Sequence, residues 1–363
     1  MSMDVTFLGT GSAYPSPCRG ASAIVFRTEG ECWLFDCGEG TQTQFMKSAL
    51  KAGKITKIFI THLHGDHMFG LPGFLCTVSL QYGSKPTKQH VDIYGPVGLR
   101  NFIRMSLEVS HSQLVFPYTI YELLPSEDQS PAEEFKDFSK YSGDCCPSPP
   151  EEQIIYADPT DGTYCVLENK QFMVKAFKLY HRIPSFGFVI TEKDRPGKLN
   201  ISKLQELGIP PGPLYGKLKF GFAVTLENGQ TISPSDVLGD PVPGRKVCIL
   251  GDCSGVVASG TATLCQGADL LVHEATLDDT QMEKARDHGH STPKMAAEFA
   301  NLCRAKRLVL THFSQRYKPP GLVSEGDEDV TVLKTQAESI LTDQSVTLAE
   351  DFLTINIPLT KPS

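Results

Sequence analysis

Ile58-Phe59-Ile60-Thr61-His62-Leu63-His64-Gly65-Asp66-His67 is the stretch whose reading decides the fold. Its first half is a short, unbroken run of aliphatic, aromatic and β-branched residues, the pattern of a strand buried on both faces. Its second half sets four potential metal ligands within six residues. With extended backbone His62 and His64 point the same way, Gly65 permits a sharp turn, and Asp66 and His67 fall at a helix N-terminus where they face a second ion. Imidazole together with carboxylate favours zinc, manganese or iron over calcium or magnesium. A lone histidine is most often a surface or hydrogen-bonded core residue; three with an aspartate in one turn are not.

Outward from this stretch the same ending recurs. Val247-Cys248-Ile249-Leu250 is followed by Gly251-Asp252, Leu270-Leu271-Val272 ends at His273, and Leu308-Val309-Leu310-Thr311 ends at His312. Strands covered by helices collect ligand groups at their ends. His312 and Asp252 therefore join the candidates, as does His181 after the alternating Met173, Lys175, Phe177 and Leu179. The plain structural readings are a core histidine at 181 and a loop-capping Asp252 before Ser254. On the ligand reading, one ion takes His62, His64 and His181, the other Asp66, His67 and His312, with Asp252 between them. Two cations about 3.5–4 Å apart acidify a shared water and clamp an anionic transition state. Ile60-Thr61-His62 and Leu310-Thr311-His312 look like counterparts in two halves of one fold. Helices are expected over 41–51, over 66–80 with a break at Pro72, over 292–303 with Thr292 as N-cap, and over 330–342.

Composition bounds the remaining choices. An apolar share of 40% with 21% charged residues in 363 is that of a globular chain. No stretch approaches the roughly 18 apolar residues of a membrane span. Met1-Ser2-Met3-Asp4 lacks a basic leader segment, so no signal peptide is expected. Eleven irregularly spaced cysteines, including the pair Cys145-Cys146, read as free thiols of a reducing compartment. The net charge of −8 argues against a nucleic-acid partner only if it is evenly spread. Residues 122–161 hold eleven acids and two bases, net −9, which leaves +1 for the rest. Residues 193–219 hold six bases against two acids. The 126–163 stretch reads as a solvated loop. Residues 191–221 read as a protruding arm, in which Ser202 and Gln205 form a capping box and Gly208 and Pro210 end the short helix.

His62-x-His64-x-Asp66-His67 with distant histidine and aspartate ligands resembles the metallo-β-lactamase superfamily. Further motifs narrow the likeness. Phe7-Leu8-Gly9-Thr10-Gly11-Ser12, Asp36-Cys37-Gly38-Glu39-Gly40-Thr41, His273-Glu274-Ala275-Thr276, His290-Ser291-Thr292 and Thr311-His312-Phe313-Ser314-Gln315-Arg316-Tyr317 together resemble tRNase Z, from residue 7 to 317. The resemblance implies an α/β fold, a four-layer αββα sandwich, as a single domain over 1–363 with 191–221 as an inserted flexible arm. It implies two zinc ions, with manganese as a substitute, on His62, His64, Asp66, His67, His181, Asp252 and His312.

The implied activity is an endoribonuclease that cuts precursor tRNA after the discriminator base, leaving a 3′-hydroxyl on the tRNA and a 5′-phosphate on the trailer. Asp66 would orient the attacking hydroxide as proton acceptor. His273, supported by Glu274, would protonate the leaving oxygen; a partner that orients a ligand is the other reading of His273. Lys198, Lys217 and Lys219 of the arm would meet backbone phosphates at the tRNA elbow, read by shape. Many members carry Pro-x-Lys-x-Arg-Asn near the start; here Pro15-Ser16-Pro17-Cys18-Arg19-Gly20 keeps only Arg19 as a substrate contact. That departure bears on exclusion of mature CCA tails and not on the cut. The length resembles the short form of the enzyme, which implies a homodimer, in the cytosol or reaching the nucleus through a partner. The competing reading is hydrolysis of a small phosphoester or thioester on the same dinuclear-metal fold, which needs no arm.

Overall fold

Each strand that the apolar runs foretell is covered on both faces, and this sets the layering. The computed structural model describes residues 2–82, 89–126, 129, 153–226, 228–256, 260–341 and 343–359. Two eight-stranded sheets lie face to face. The first runs, in order, Thr354–Asn356, Met3–Gly9, Ala23–Thr28, Cys32–Phe35, Ile55–Phe59, Val91–Pro96, Tyr118–Leu123 and Ile154–Ile155. The second runs Gly255–Val256, Phe172–Tyr180, Ser185–Glu192, Lys246–Leu250, Leu270–Glu274, Arg307–Thr311 and Ser345–Leu348, with Tyr164–Glu168 beside Phe172–Tyr180. Ile55–Phe59 is parallel to both its neighbours in one sheet, and Lys246–Leu250, Leu270–Glu274 and Arg307–Thr311 are parallel to one another in the other, whereas Phe172–Tyr180, which leads to His181, pairs antiparallel. The carboxyl ends of the parallel strands therefore open on one edge, where ligand groups gather in such sheets.

Alternation along each strand divides the core. Val247 and Ile249 face the inter-sheet layer, while Cys248 and Leu250 face the helices. Between the sheets an aromatic run does the packing: Phe35 stacks on Phe59 at 4.6 Å, Phe59 meets Phe188 of the other sheet at 5.3 Å, and Trp33 meets Phe172 at 5.3 Å. Helices Leu71–Gln81 and Leu99–Val109 cover the outer face of the first sheet. Helices Thr261–Cys265, Pro293–Cys303 and Thr331–Glu338 cover the second. The result is the four-layer αββα sandwich.

The helix boundaries differ from the sequence expectation at three places, one of them the last helix, which stops at Glu338 and not at 342. The helix expected over 66–80 is two, Gly65–Met68 and Leu71–Gln81, and it breaks at Phe69-Gly70 ahead of Pro72. Gly70 is required there because a β-carbon would lie 2.1 Å from the Gly38 carbonyl oxygen. The first helix stops at Lys47, not at 51. The Cys145-Cys146 pair, and the part of the 126–163 loop from 130 to 152, lie outside the described residues.

The arm also differs. The chain leaves the second sheet after Glu192 and returns at Arg245, so the insert runs well past the expected limit of 221. It is no bare Gly/Pro loop. Leu204, Ile209, Leu218, Val224, Ile232 and Val237 form a small core of its own, around helices Ile201–Glu206, Pro213–Lys219 and Pro234–Val237 and the hairpin Val224–Thr225 with Thr231–Ile232. Asn200, not Ser202, caps the first of these helices, its side chain accepting from the Lys203 amide at 3.0 Å. The extra span brings in Glu227, Asp236 and Asp240, so 193–244 as a whole has six bases and five acids.

The two legs of the insert pair through Arg195 and Val242 and are bolted at the root. Arg245, 1% exposed, donates from Nε and Nη2 to the Glu192 carboxylate at 2.7 and 2.8 Å and from Nη1 to the Ile357 carbonyl at 2.9 Å. Removing one partner of such a buried pair strands the other charge, at a cost of about 3–5 kcal/mol. Arg245→Ala should therefore lower the unfolding free energy by about that amount in urea titration. A loss under about 1 kcal/mol would show that the pair contributes like a surface one.

Candidate metal centre

The site is built where the two sheets open on the same edge. Just past the first sheet's strand Ile55–Phe59, His62 is fully buried, while His64, Asp66 and His67 follow on the turn into the short helix. From the second sheet come His181 after Phe172–Tyr180, Asp252 after Lys246–Leu250 and His312 after Arg307–Thr311. Ligand atoms of His62, His64, His181 and Asp252 lie within 4.8 Å of one another, as do those of Asp66, His67 and His312. Asp252 lies between the groups, its Oδ2 3.7 Å from His62 Nε2 and its Oδ1 3.4 Å from both His67 Nε2 and His312 Nδ1.

What turns these nitrogens inward is the hydrogen bond behind each ring. His67 Nδ1 donates to Asp36 Oδ2 at 2.7 Å, and His181 Nδ1 donates to the Gly289 carbonyl at 2.6 Å. The Thr61 hydroxyl lies 3.0 Å from His62 Nδ1, and the Thr276 hydroxyl lies 3.0 Å from His312 Nδ1. Each leaves Nε2 for the centre, the arrangement that sets the tautomer of metal-binding histidines. Two pairs of ring nitrogens then face each other across 3.1 Å: His67 Nε2 with His312 Nε2, and His64 Nδ1 with His181 Nε2. Two imidazoles tetrahedral about one zinc at 2.0–2.1 Å stand roughly 3.3 Å apart. His62 Nε2 is buried with no hydrogen-bond partner among the described residues. A buried polar atom of that kind costs free energy unless something binds it, and the donor set suits a divalent transition metal.

Asp36, the acid that opens the Asp36-Cys37-Gly38 motif, organises this edge. It takes a left-handed backbone (φ 58°) and accepts from the Thr61 amide, the Thr61 hydroxyl and His67 at once. The 36–38 turn is stitched to the ligand loop by Cys37 N–H to the His67 carbonyl (2.7 Å) and Gly70 N–H to the Cys37 carbonyl (2.9 Å). The signal was present: Trp33-Leu34-Phe35 is another apolar strand that ends at an acid.

Beside the ligands is a cleft of about 400 Å³ lined by His64, Asp66, Phe69, Arg182, Asp252 and His290, among others. Asp66 is fixed in its wall by the Ala13 amide, which donates to Oδ2 at 2.7 Å. His290 faces Glu274 with Nδ1 3.1 Å from Oε1. Burial opposes a charge on His290, but the Glu274 carboxylate overrides it and lifts the imidazole to about 9. Glu274 also accepts from the Cys253 amide at 2.7 Å and from the Thr276 hydroxyl that backs His312.

Two residues do not stand where the sequence reading put them. His273 is 3% exposed, donates from Nδ1 to the Glu274 carbonyl at 2.8 Å, and turns Nε2 toward the Cys253 thiol at 3.9 Å. It lies in the core beside Phe299 and does not line the cleft. The alternation of the strand explains this: Glu274 faces the site, so its neighbour cannot. Arg19 is likewise 3% exposed, donating to Thr10 Oγ1 and the Ala349 carbonyl and lying 4.7 Å over the Phe313 ring. It braces the first glycine loop, at the wall of a neighbouring cavity of about 730 Å³. Lys198, Lys217 and Lys219 are exposed on the insert.

Fold and site together define a metal-dependent hydrolase of the metallo-β-lactamase fold. A family model described as "Beta-lactamase superfamily domain" matches residues 220–313, and one described as "Anti-Pycsar protein Apyc1" matches 3–101. The human protein named zinc phosphodiesterase ELAC protein 1 is 66% identical over 99% of this chain and 100% of its own length. Ribonuclease Z of Picosynechococcus sp. is 38% identical over 99% and 98%. The crystal structure of human tRNase Z, short form, matches with a TM-score of 0.69 and 51% identity over 98% of this chain and 100% of that one. The chain belongs to the ribonuclease Z family. Among the described residues no helix is long and apolar enough to cross a membrane.

Ligand histidines must be neutral to bind metal. Burial disfavours a charge on His67, yet Asp252, Asp36 and Asp66 around it hold its proton well above the usual histidine range. Metal entry at neutral pH must expel that proton. Titrating zinc into metal-free protein in buffers of different ionisation enthalpy should therefore show proton release at pH 7 and affinity that weakens as pH falls. His67→Ala should abolish that release; release unchanged by the substitution would remove His67 from the ligand set.

Proposed function

We propose that this chain removes the 3′ trailer from precursor tRNA by hydrolysing one phosphodiester after the discriminator base. The tRNA keeps a 3′-hydroxyl and the trailer a 5′-phosphate. The observation that carries the reading is one cleft with convergent ligand sets on one wall and His290, backed by the buried Glu274, on another. His62, His64, His181 and Asp252 would hold one cation, and Asp66, His67, His312 and Asp252 a second. Such a pair of ions acidifies water and neutralises charge building on a phosphate. Asp66, held by the Ala13 amide, takes the proton from the attacking water. His290 delivers a proton to the departing ribose O3′. Glu274 keeps that imidazole charged and in place, so that the bond breaks without releasing a bare alkoxide. The reading extends to zinc as the ion, exchangeable for manganese, to a homodimer and to the cytosol with nuclear entry through a partner; these rest on the family resemblance.

Mapping both ends produced from a 3′-extended tRNA tests the reaction, with metal measured on the same sample. A cut elsewhere, or cleavage of bis(p-nitrophenyl) phosphate alone, would return the small-ester reading. His290→Ala should lower kcat by roughly 10²–10⁴-fold, the usual worth of a general acid, with metal content unchanged. His273→Ala should lower thermal stability and keep most of the rate; the reverse pattern would restore His273 as the donor.

The insert is read as the RNA-gripping arm, with Lys198, Lys217 and Lys219 meeting phosphates. Its separate core and paired legs make it removable. Replacing residues 196–241 by a short Gly-Ser turn should raise KM for tRNA and spare bis(p-nitrophenyl) phosphate. Equal loss on both substrates would make the insert a structural element.

A further inference from the structure

Phe69 ends the helix Gly65–Met68 and is 61% exposed, whereas the preceding Met68 is buried. Scattered exposed apolar side chains are ordinary, but this ring has a built seat. It lines the cleft shared by His64, Asp66, Asp252 and His290. Phe102 of the helix Leu99–Val109 backs it, with ring centroids 6.2 Å apart and planes within 29°. Gly65 lies under its edge: a β-carbon at 65 would come within 2.3 Å of the ring. The φ of Gly65 is not positive, and a side chain there would have to displace the Phe69 ring from its present position. With glycine at 65 the ring lies against the backbone between the ligand residues and lines the cleft. The chemistry proposed above runs on polar groups and makes no use of that face.

We infer that Phe69 is a stacking platform for a nucleobase adjoining the scissile phosphate. The inference rests on the RNA-cleaving reading. Beside the phosphate that the metal ligands address, the substrate offers one flat apolar group on either side, the base of the neighbouring nucleotide. Stacking suits the task because every base has a π-face, so the contact tolerates any sequence at that position. It also supplies alignment of the backbone by a group that does not react.

The test uses the metal-loaded full chain, as wild type, Phe69→Ala and Phe69→Trp, on three 3′-extended tRNAs. One is intact, one is abasic at the nucleotide 5′ of the cut, and one is abasic at the nucleotide 3′ of it. Phe69→Ala should lower kcat/KM on the intact substrate by roughly 5- to 150-fold, the worth of one stacked base, and Phe69→Trp should retain activity. On one abasic substrate, wild type should fall to the level of Phe69→Ala, and Phe69→Ala should lose nothing more; that substrate identifies which base is held. Losses that simply multiply on both abasic substrates would overturn the platform. So would a wild type indifferent to either missing base, a result that needs no variant to fold. If wild type does not cut the intact substrate, the RNA-cleaving reading falls and the platform with it.

Discussion

Seven metal-seeking side chains in one place are a liability before they are an asset, because their lone pairs must converge where water is largely excluded. The interaction on which everything else depends is the set of hydrogen bonds behind the imidazoles. Thr61, Asp36, the Gly289 carbonyl and Thr276 each occupy the back nitrogen of one ring and so decide where the other points. Those backing groups come from strand ends and loops pinned by packing, so ring directions are inherited from the sheets. The charges follow from the same geometry. Burial would raise Asp252, but His312, His67 and His62 around it hold it well below the usual carboxylate range. Burial together with the neighbouring His181 pushes His64 down to about 4, neutral and available to bind.

Glu274 joins the two kinds of chemistry. One carboxylate oxygen faces His290, and the other receives the Thr276 hydroxyl that stands behind His312. His290 and His312 are therefore both braced by a single acid, one directly and one through Thr276. A change at 274 would be felt on both sides of the cleft at once, and losses at Glu274, His290 and His312 would not add independently.

Much of this was legible in the residues. Apolar runs that stop at a histidine or an acid disclosed the parallel strands and the edge on which they open, because burial on both faces leaves polar groups nowhere to go but the end. The choice between His273 and His290 was not legible from the motifs alone. Adjacent strand residues face opposite sides, and only the folded chain shows that Glu274, and not His273, lies behind His290 at the cleft. Arg19 misled for a related reason: its charge suggested a phosphate, but Thr10, the Ala349 carbonyl and the Phe313 ring come to it from distant parts of the chain. The extent of the insert escaped because its second half supplies Val224, Ile232 and Val237 to a core that exists only once the legs meet. Gly65 reads as a turn residue, but its φ is not positive, and its nearest neighbour is a ring four positions on.

The ligands are split by origin, with His62, His64, Asp66 and His67 beside one sheet and His181, Asp252 and His312 beside the other. During synthesis the early cluster emerges some 250 residues before His312, and it supplies only two donors to each of the two groups. Completion of either group must wait until the later strands have left the ribosome and the two sheets have closed on each other. Neither sheet alone brings together all the side chains of either group, so the centre exists only as a property of the closed sandwich.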